Sequence, residues 1–139
     1  NRPSVPTVYL PNEIASKHFD AAEDILVPYI MKHASDAKAY VLLGNAAIGR
    51  QSWEEAMEIF QQVIKIDNTV CDAYAQLGHA ALNAGKFTQA IEALQRARNL
   101  DEKNIQVREE LLFIAHRMDN KVVEKSVQQE LEELKKEIA

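Results

Sequence analysis

The sequence predicts an all-α protein, a solenoid of helical hairpins. Three observations carry that prediction. Apolar residues recur at helical spacing in successive segments. Nothing alternates with period two over a useful length, so β-structure has no support. The chain also repeats itself: "YVLLGNAAIGRQSWEEAMEIFQQV" from Tyr40 is followed, 34 residues later, by "YAQLGHAALNAGKFTQAIEALQRA" from Tyr74.

The elements follow in order. Three of the four prolines stand in "NRPSVPTVYLP". Proline fixes its own backbone angle and brings no amide hydrogen, so residues 1–11 read as an extended arm or linker. Val5, Val8, Tyr9 and Leu10 give it an alternative use, lying against the domain or in a neighbour's groove. Asn12 is placed to cap a helix from Glu13 to about His33, with Ile14, Phe19, Ala22, Ile25, Leu26, Tyr29 and Ile30 at helical spacing. Pro28 is expected to kink or interrupt it, and "ASKHFDA" is a second place for a break. Helices are then expected over Ala37–Arg50, Trp53–Ile66, Cys71–Ala84, Thr88–Leu100, Ile105–Met118 and Lys121 to about Ile138. "RQS" and "AGK" turn within pairs, "DNTV" and "DEKN" between pairs, and Asp119-Asn120 supplies capping chemistry before the last helix.

The bulk numbers narrow the function classes. At 139 residues the chain fits one domain and can bury about two thirds of its unfolded surface. A net charge of -5 argues against nonspecific binding to nucleic acid or to anionic membranes, which reward a basic surface. No apolar run approaches the roughly 20 residues of a membrane span, so no direct membrane insertion is expected. The lone Cys71 excludes an internal disulfide framework and is compatible with a reducing compartment. The start at Asn1, without an initiator methionine or a signal segment, reads as an excised fragment or a processed chain.

The repeated residues resemble one family. Tyr40, Leu43-Gly44, Ala47, Trp53, Ala56 and Phe60 are matched by Tyr74, Leu77-Gly78, Ala81, Phe87, Ala90, Leu94 and Ala97. This is similar to the tetratricopeptide repeat, whose period is 34 residues. The family's closing proline is absent, with Asn68 and Glu102 in its place. The resemblance implies a right-handed superhelix: units at 37–70 and 71–104, a worn unit at 12–36, and a divergent unit with a capping helix at 105–139. In the divergent unit Leu112 and Glu124 replace the glycine and alanine. Mid-helix Gly44 and Gly78 cost about 1 kcal/mol each against alanine, which makes sense where helices approach closely. Ala56 and Ala90 are the expected small partners across each hairpin.

Chemistry finds little footing. There is no phosphate loop, no paired cysteine and no metalloprotease spacing. No catalytic residue, metal or cofactor is expected. His18, His33, His79 and His116 are scattered and read as solvated or groove-lining side chains, with a site joining His79 and His116 with Glu109 the remote alternative. Cys71 opens a helix, where a thiol's pKa can fall, but a half-buried inert thiol is the expectation.

The family resemblance implies instead a concave groove lined by the first helix of each unit, receiving a partner protein's extended peptide or amphipathic helix. Its free stripe comprises Lys38, Val41, Leu42, Asn45 and Ile48, then Asp72, Ala75, Gln76, His79, Leu82 and Asn83, then Gln106, Glu109, Phe113, His116 and Arg117. Val41, Leu82 and Phe113 are expected to give apolar contact; Asn45, Asn83 and Arg117 are expected to orient a backbone or carboxylate. Inter-repeat packing or the N-terminal segment would otherwise cover part of this surface. Family members that clamp a chaperone's C-terminal carboxylate use lysine, asparagine and arginine. Asn45 matches that clamp, but Val41 stands where its lysine belongs, and Glu109 and Glu110 oppose an acidic tail. The alternative is a self-assembly module acting through the convex face, the arm or the last helix.

Overall fold

A computed structural model describes the backbone of residues 11–138, with side chains from residue 19 onward. The expected arm and its Val5, Val8, Tyr9 and Leu10 lie outside the described residues. Seven helices follow in order: α1 Pro11–Lys32, α2 Ala37–Gly49, α3 Trp53–Ile66, α4 Cys71–Asn83, α5 Phe87–Leu100, α6 Ile105–Arg117 and α7 Lys121–Ile138. Each helix packs on the next in sequence, so the chain is a linear stack.

The helix α1 is continuous where breaks are expected. It runs unbroken through "ASKHFDA" and is not interrupted at Pro28. It begins at Pro11, one residue before the expected Asn12 cap. Proline in a helix interior removes one i→i−4 hydrogen bond and sets its ring against the carbonyl four residues back. Here Pro28 lies on the exposed side of α1, between exposed Val27 and Tyr29. One polar contact of α1 runs to the α2–α3 turn. Arg50 Nη2 donates to Glu23 Oε2 at 2.7 Å and to Glu55 Oε2 at 3.1 Å. Burial still holds the Glu23 carboxyl above its usual range despite that guanidinium.

Three helix ends share one device. Gln51, Gly85 and Asp119 all adopt positive φ, at 61°, 78° and 55°. In each turn two amides fold back onto the helix just ended. Gln51 N and Ser52 N donate to the carbonyls of Ile48 and Ala47, Gly85 N and Lys86 N to Leu82 and Ala81, and Asp119 N and Asn120 N to His116 and Ala115. These are Schellman caps, which satisfy the orphaned carbonyls of a helix end. Starts are capped less uniformly. Asp36 and Asn104 accept the amides of Ala39 and Val107, whereas Val70 at the matching place has no side-chain bond.

The glycine contacts differ from expectation. Ala56 and Ala90 are fully buried, but they do not fill the space above the glycines. A Cβ on Gly44 would stand 2.6–2.9 Å from three ring atoms of Phe60. A Cβ on Gly78 would stand 2.6 Å from Leu94 Cγ, with only the Ala90 carbonyl oxygen, at 3.4 Å, coming from Ala90. The glycine is thus a socket for a large side chain of the paired helix. Phe60, Leu94 and their neighbours Val63 and Ala97 are fully buried.

The last hairpin inverts that arrangement. Leu112 stands at the glycine's place, and Gln128, at the place of Phe60 and Leu94, is exposed. The tyrosine's place is taken by Arg108, only 3% exposed. In the preceding hairpin Tyr74 Oη donates to Asn68 O, and Arg96 lies over the Tyr74 ring. Arg108 does both jobs by charge: Nη1 donates to Asp101 O and Asn104 O, while Nε donates to Glu130 at 2.8 Å. Glu130 also receives Arg98 at 3.5 Å, which ties α7 to α5 as well as α6.

Two outcomes follow for stability. Gly78→Ala gains about 1 kcal/mol of helix propensity but displaces Leu94, an overpacking cost of about 1–3 kcal/mol. A lowered midpoint in urea unfolding is expected; with Leu94→Ala already in place, which itself lowers the midpoint by removing a fully buried leucine, the further change Gly78→Ala should cost nothing. Gln51→Gly removes a left-handed residue with a Cβ, worth about 1 kcal/mol, and is expected to raise the midpoint, whereas Gly85→Ala lowers it.

Candidate functional site

The inner face of the stack is identified by which helices meet. Among the described residues α2 touches α4 and α4 touches α6, but α3 and α5 do not touch. The first helices of the pairs therefore lie inside the curve and the second helices outside it.

Three depressions collect the stripe residues. The first, about 730 Å³, lies at the N-terminal ends of α2 and α4, where Lys38, Val41, Leu42 and Val70 stand among Asp36, Asp67 and Asp72. The second, about 310 Å³, is walled by Ile48, Asp72, Ala75, Gln76, His79, Gln106 and Glu110. Asp72 borders both. The third, about 450 Å³, opens between α6 and α7 and includes Glu109, Leu112, Phe113 and His116.

The remaining stripe residues are engaged otherwise. Asn45 is exposed and lines none of the three. Leu82 is half-buried against the core, as are Val41, Ile48 and Ala75 in part, so inter-repeat packing does take up some of the apolar surface. Asn83 Nδ2 donates to His79 O at 2.8 Å. Arg117 lies over the rings of Phe87 and Phe113, at 5.1 and 5.9 Å from their centroids.

The histidine constellation is not formed. The Nδ1 of His79 meets Glu110 Oε2 at 2.6 Å, and His116 turns to Glu124 at 3.1 Å. Glu109 instead faces Lys135 at 3.9 Å. Phe113 is the residue one repeat beyond His79, and Glu110 lies one helical turn before it. Trp53 sets its ring edge-on to His79 at 5.7 Å, so this imidazole touches two neighbouring hairpins. The Glu110 hydrogen bond raises the His79 pKa above its ordinary value, against the opposing pull of burial.

Cys71 is half-buried, and its Sγ lies 3.4 Å from Ala97 O. Burial, with Asp101 and Asp72 nearby, pushes the thiol pKa up, so the helix start does not activate it. Among the described residues no group of three histidine, cysteine or carboxylate side chains is placed to hold a metal ion. None of the described helices is long and apolar enough to cross a membrane.

Comparison with known proteins now bears on this architecture. Two family models, both described as tetratricopeptide repeat, match residues 47–112 and residues 13–70. No curated protein matches the sequence. Among solved structures, MamA from residue 41 to its end, from Desulfovibrio magneticus RS-1, aligns with a TM-score of 0.78 at 18% identity, over 91% of this chain and 76% of that one. A double mutant of MamA RS-1 gives 0.81 at 18% identity, over 91% and 76% of the two chains. MamA MSR-1 gives 0.76 at 19% identity, over 94% and 80%. At such identities these likenesses bear on the fold alone. With seven stacked helices, Schellman turns at one spacing and family matches that together run from residue 13 to residue 112, the chain belongs to the tetratricopeptide repeat family, a family of protein-interaction scaffolds.

Proposed function

We propose that the protein is a non-enzymatic adaptor that binds a partner protein's extended segment or amphipathic helix along the inner face of α2, α4 and α6. The units that build this face are 37–70, 71–104 and 105–139, with α1 as the outer helix of a preceding unit at 12–36. The observation that carries the reading is Leu42. It is 57% exposed at the inner face, beside half-buried Val41, and its side chain serves no packing contact of the core. An apolar residue left uncovered within a depression fits an occupant from outside the chain.

A second reading has its own observation. The outer side of α1 exposes Ile25 at 64% and Met31 at 80%. That fits self-assembly, or docking of another segment, at this end of the stack.

Affinity capture from the native cell separates the two. Leu42→Glu with Gln76→Lys alters the inner face, and Glu92→Arg alters the outer face of α5. The inner-face reading predicts proteins that bind wild type and Glu92→Arg but not the double variant. Capture unchanged by the double variant defeats it and moves attention to α1. All variants are first checked for an unchanged helical signal.

The His79–Glu110 pair gives a second expectation. A histidine with a raised folded pKa contributes stability that is full below its ordinary value of 6.5. That contribution is lost as pH rises through the raised value. Imidazole NMR titration should show the raised midpoint. Glu110→Gln should bring it down and flatten the pH dependence of stability in the same window.

A further inference from the structure

The depression at the N-terminal ends of α2 and α4 brings apolar residues and carboxylates together. Its floor is apolar, formed by Val41, Leu42 and Val70. Its rim carries three carboxylates, from Asp36, Asp67 and Asp72, against one cation, Lys38. Asp36 accepts from Tyr29 Oη at 2.7 Å and from the Ala39 amide. Asp67 accepts from the hydroxyl and amide of Thr69 at 2.6 and 3.0 Å. These bonds hold both carboxyls below their usual range, so both are charged at neutral pH.

Asp72 is different. It lies in the first turn of α4, is exposed, and makes no hydrogen bond or ion pair to the described residues. It lines both this depression and the second one, which adds the carboxylate of Glu110 and the amides of Gln76 and Gln106. An apolar socket thus shares a carboxylate with an acidic, hydrogen-bonding hollow, on a chain of net charge -5.

Resting on the inner-face reading above, we propose that this socket takes an apolar side chain of a partner peptide flanked by lysine or arginine. The apolar side chain sits on Val41, Leu42 and Val70. The basic neighbour pairs with Asp72, on the border of the hollow that holds Glu110. Charge complementarity selects this occupant, because an acidic tail or a phosphorylated segment meets three carboxylates at the mouth. Partial desolvation at the socket's edge strengthens the pairing relative to open solvent.

The test uses the 139-residue chain, immobilised and panned with a random-peptide phage library, with recovered peptides resynthesised for fluorescence anisotropy. Peptides with lysine or arginine adjacent to leucine, isoleucine, phenylalanine or methionine are expected. Asp72→Asn should weaken them by about 1.5- to fivefold, Asp72→Lys by more, and Asp72→Glu by least. Affinity should fall as salt rises from about 0.05 to 0.5 M. Recovered peptides without basic enrichment, or bound equally by Asp72→Lys, overturn this inference. If Leu42→Glu still abolishes their binding, the inner-face reading stands without it. No recovered peptide, or binding indifferent to Leu42→Glu, overturns both.

Discussion

The contact on which the rest depends is a large side chain seated on a glycine. Phe60 lies on Gly44 and Leu94 lies on Gly78, the two members sixteen residues apart in each case. It lets the two backbones of a hairpin approach more closely than any Cβ allows. Because that approach is fixed, the hairpin presents its remaining apolar stripe at a set angle to the next hairpin. Tyr74, Leu77, Ala81 and Ile91 then close the core without gaps. A single hairpin would leave half of this surface in water, so the contact has its full effect only when hairpins stack.

The turns keep conformation while residue types drift. Gln51, Gly85 and Asp119 differ in every chemical respect, yet share a left-handed backbone and the same pair of returning amides. The constraint lies in the carbonyls left open at the end of α2, α4 and α6. Any residue that tolerates the conformation, at some energetic cost, meets it. The exchange of Tyr74 with Arg96 for Arg108 with Glu130 follows the same logic. A polar tip must reach the carbonyls of the preceding turn, and a partner from the second helix must cover it. A buried guanidinium is tolerable there because its donors find the Glu130 carboxylate and two carbonyls.

These features divide what the sequence makes legible. Leu-Gly, the small residues and the aromatic at one spacing disclose the hairpins, and the helix bounds from α2 onward follow to within a residue. The partner across each glycine is less legible. Alanine at Ala56 and Ala90 looks like the small half of a close contact, but the glycine alone supplies the space and Phe60 and Leu94 use it. Pro28 reads as a breaker because it removes one backbone hydrogen bond, yet the helix continues on both sides of it. The His79–Glu110 bond is hidden for a different reason. It joins two helices of different hairpins, and a rotation of α6 by a single residue, about 100°, decides whether Glu109 or Glu110 faces His79.

The inner face is where the pattern falls silent, and the silence has a physical cause. Packing fixes one stripe of α2, α4 and α6, and the turns fix their ends. The stripe between is constrained only to be soluble. Variation there costs the fold little, so the period that reveals the hairpins carries no information about it. Yet the face is not structureless. His79 joins Trp53 of one hairpin to Glu110 of another across its middle, and Asp72 separates an apolar hollow from a polar one. Its three hollows differ in chemistry because different residues stand at equivalent positions: Leu42 answers to Gln76, and Asn45 to His79. A repeated scaffold thereby presents an unrepeated surface, which is what selective recognition of one segment among many requires.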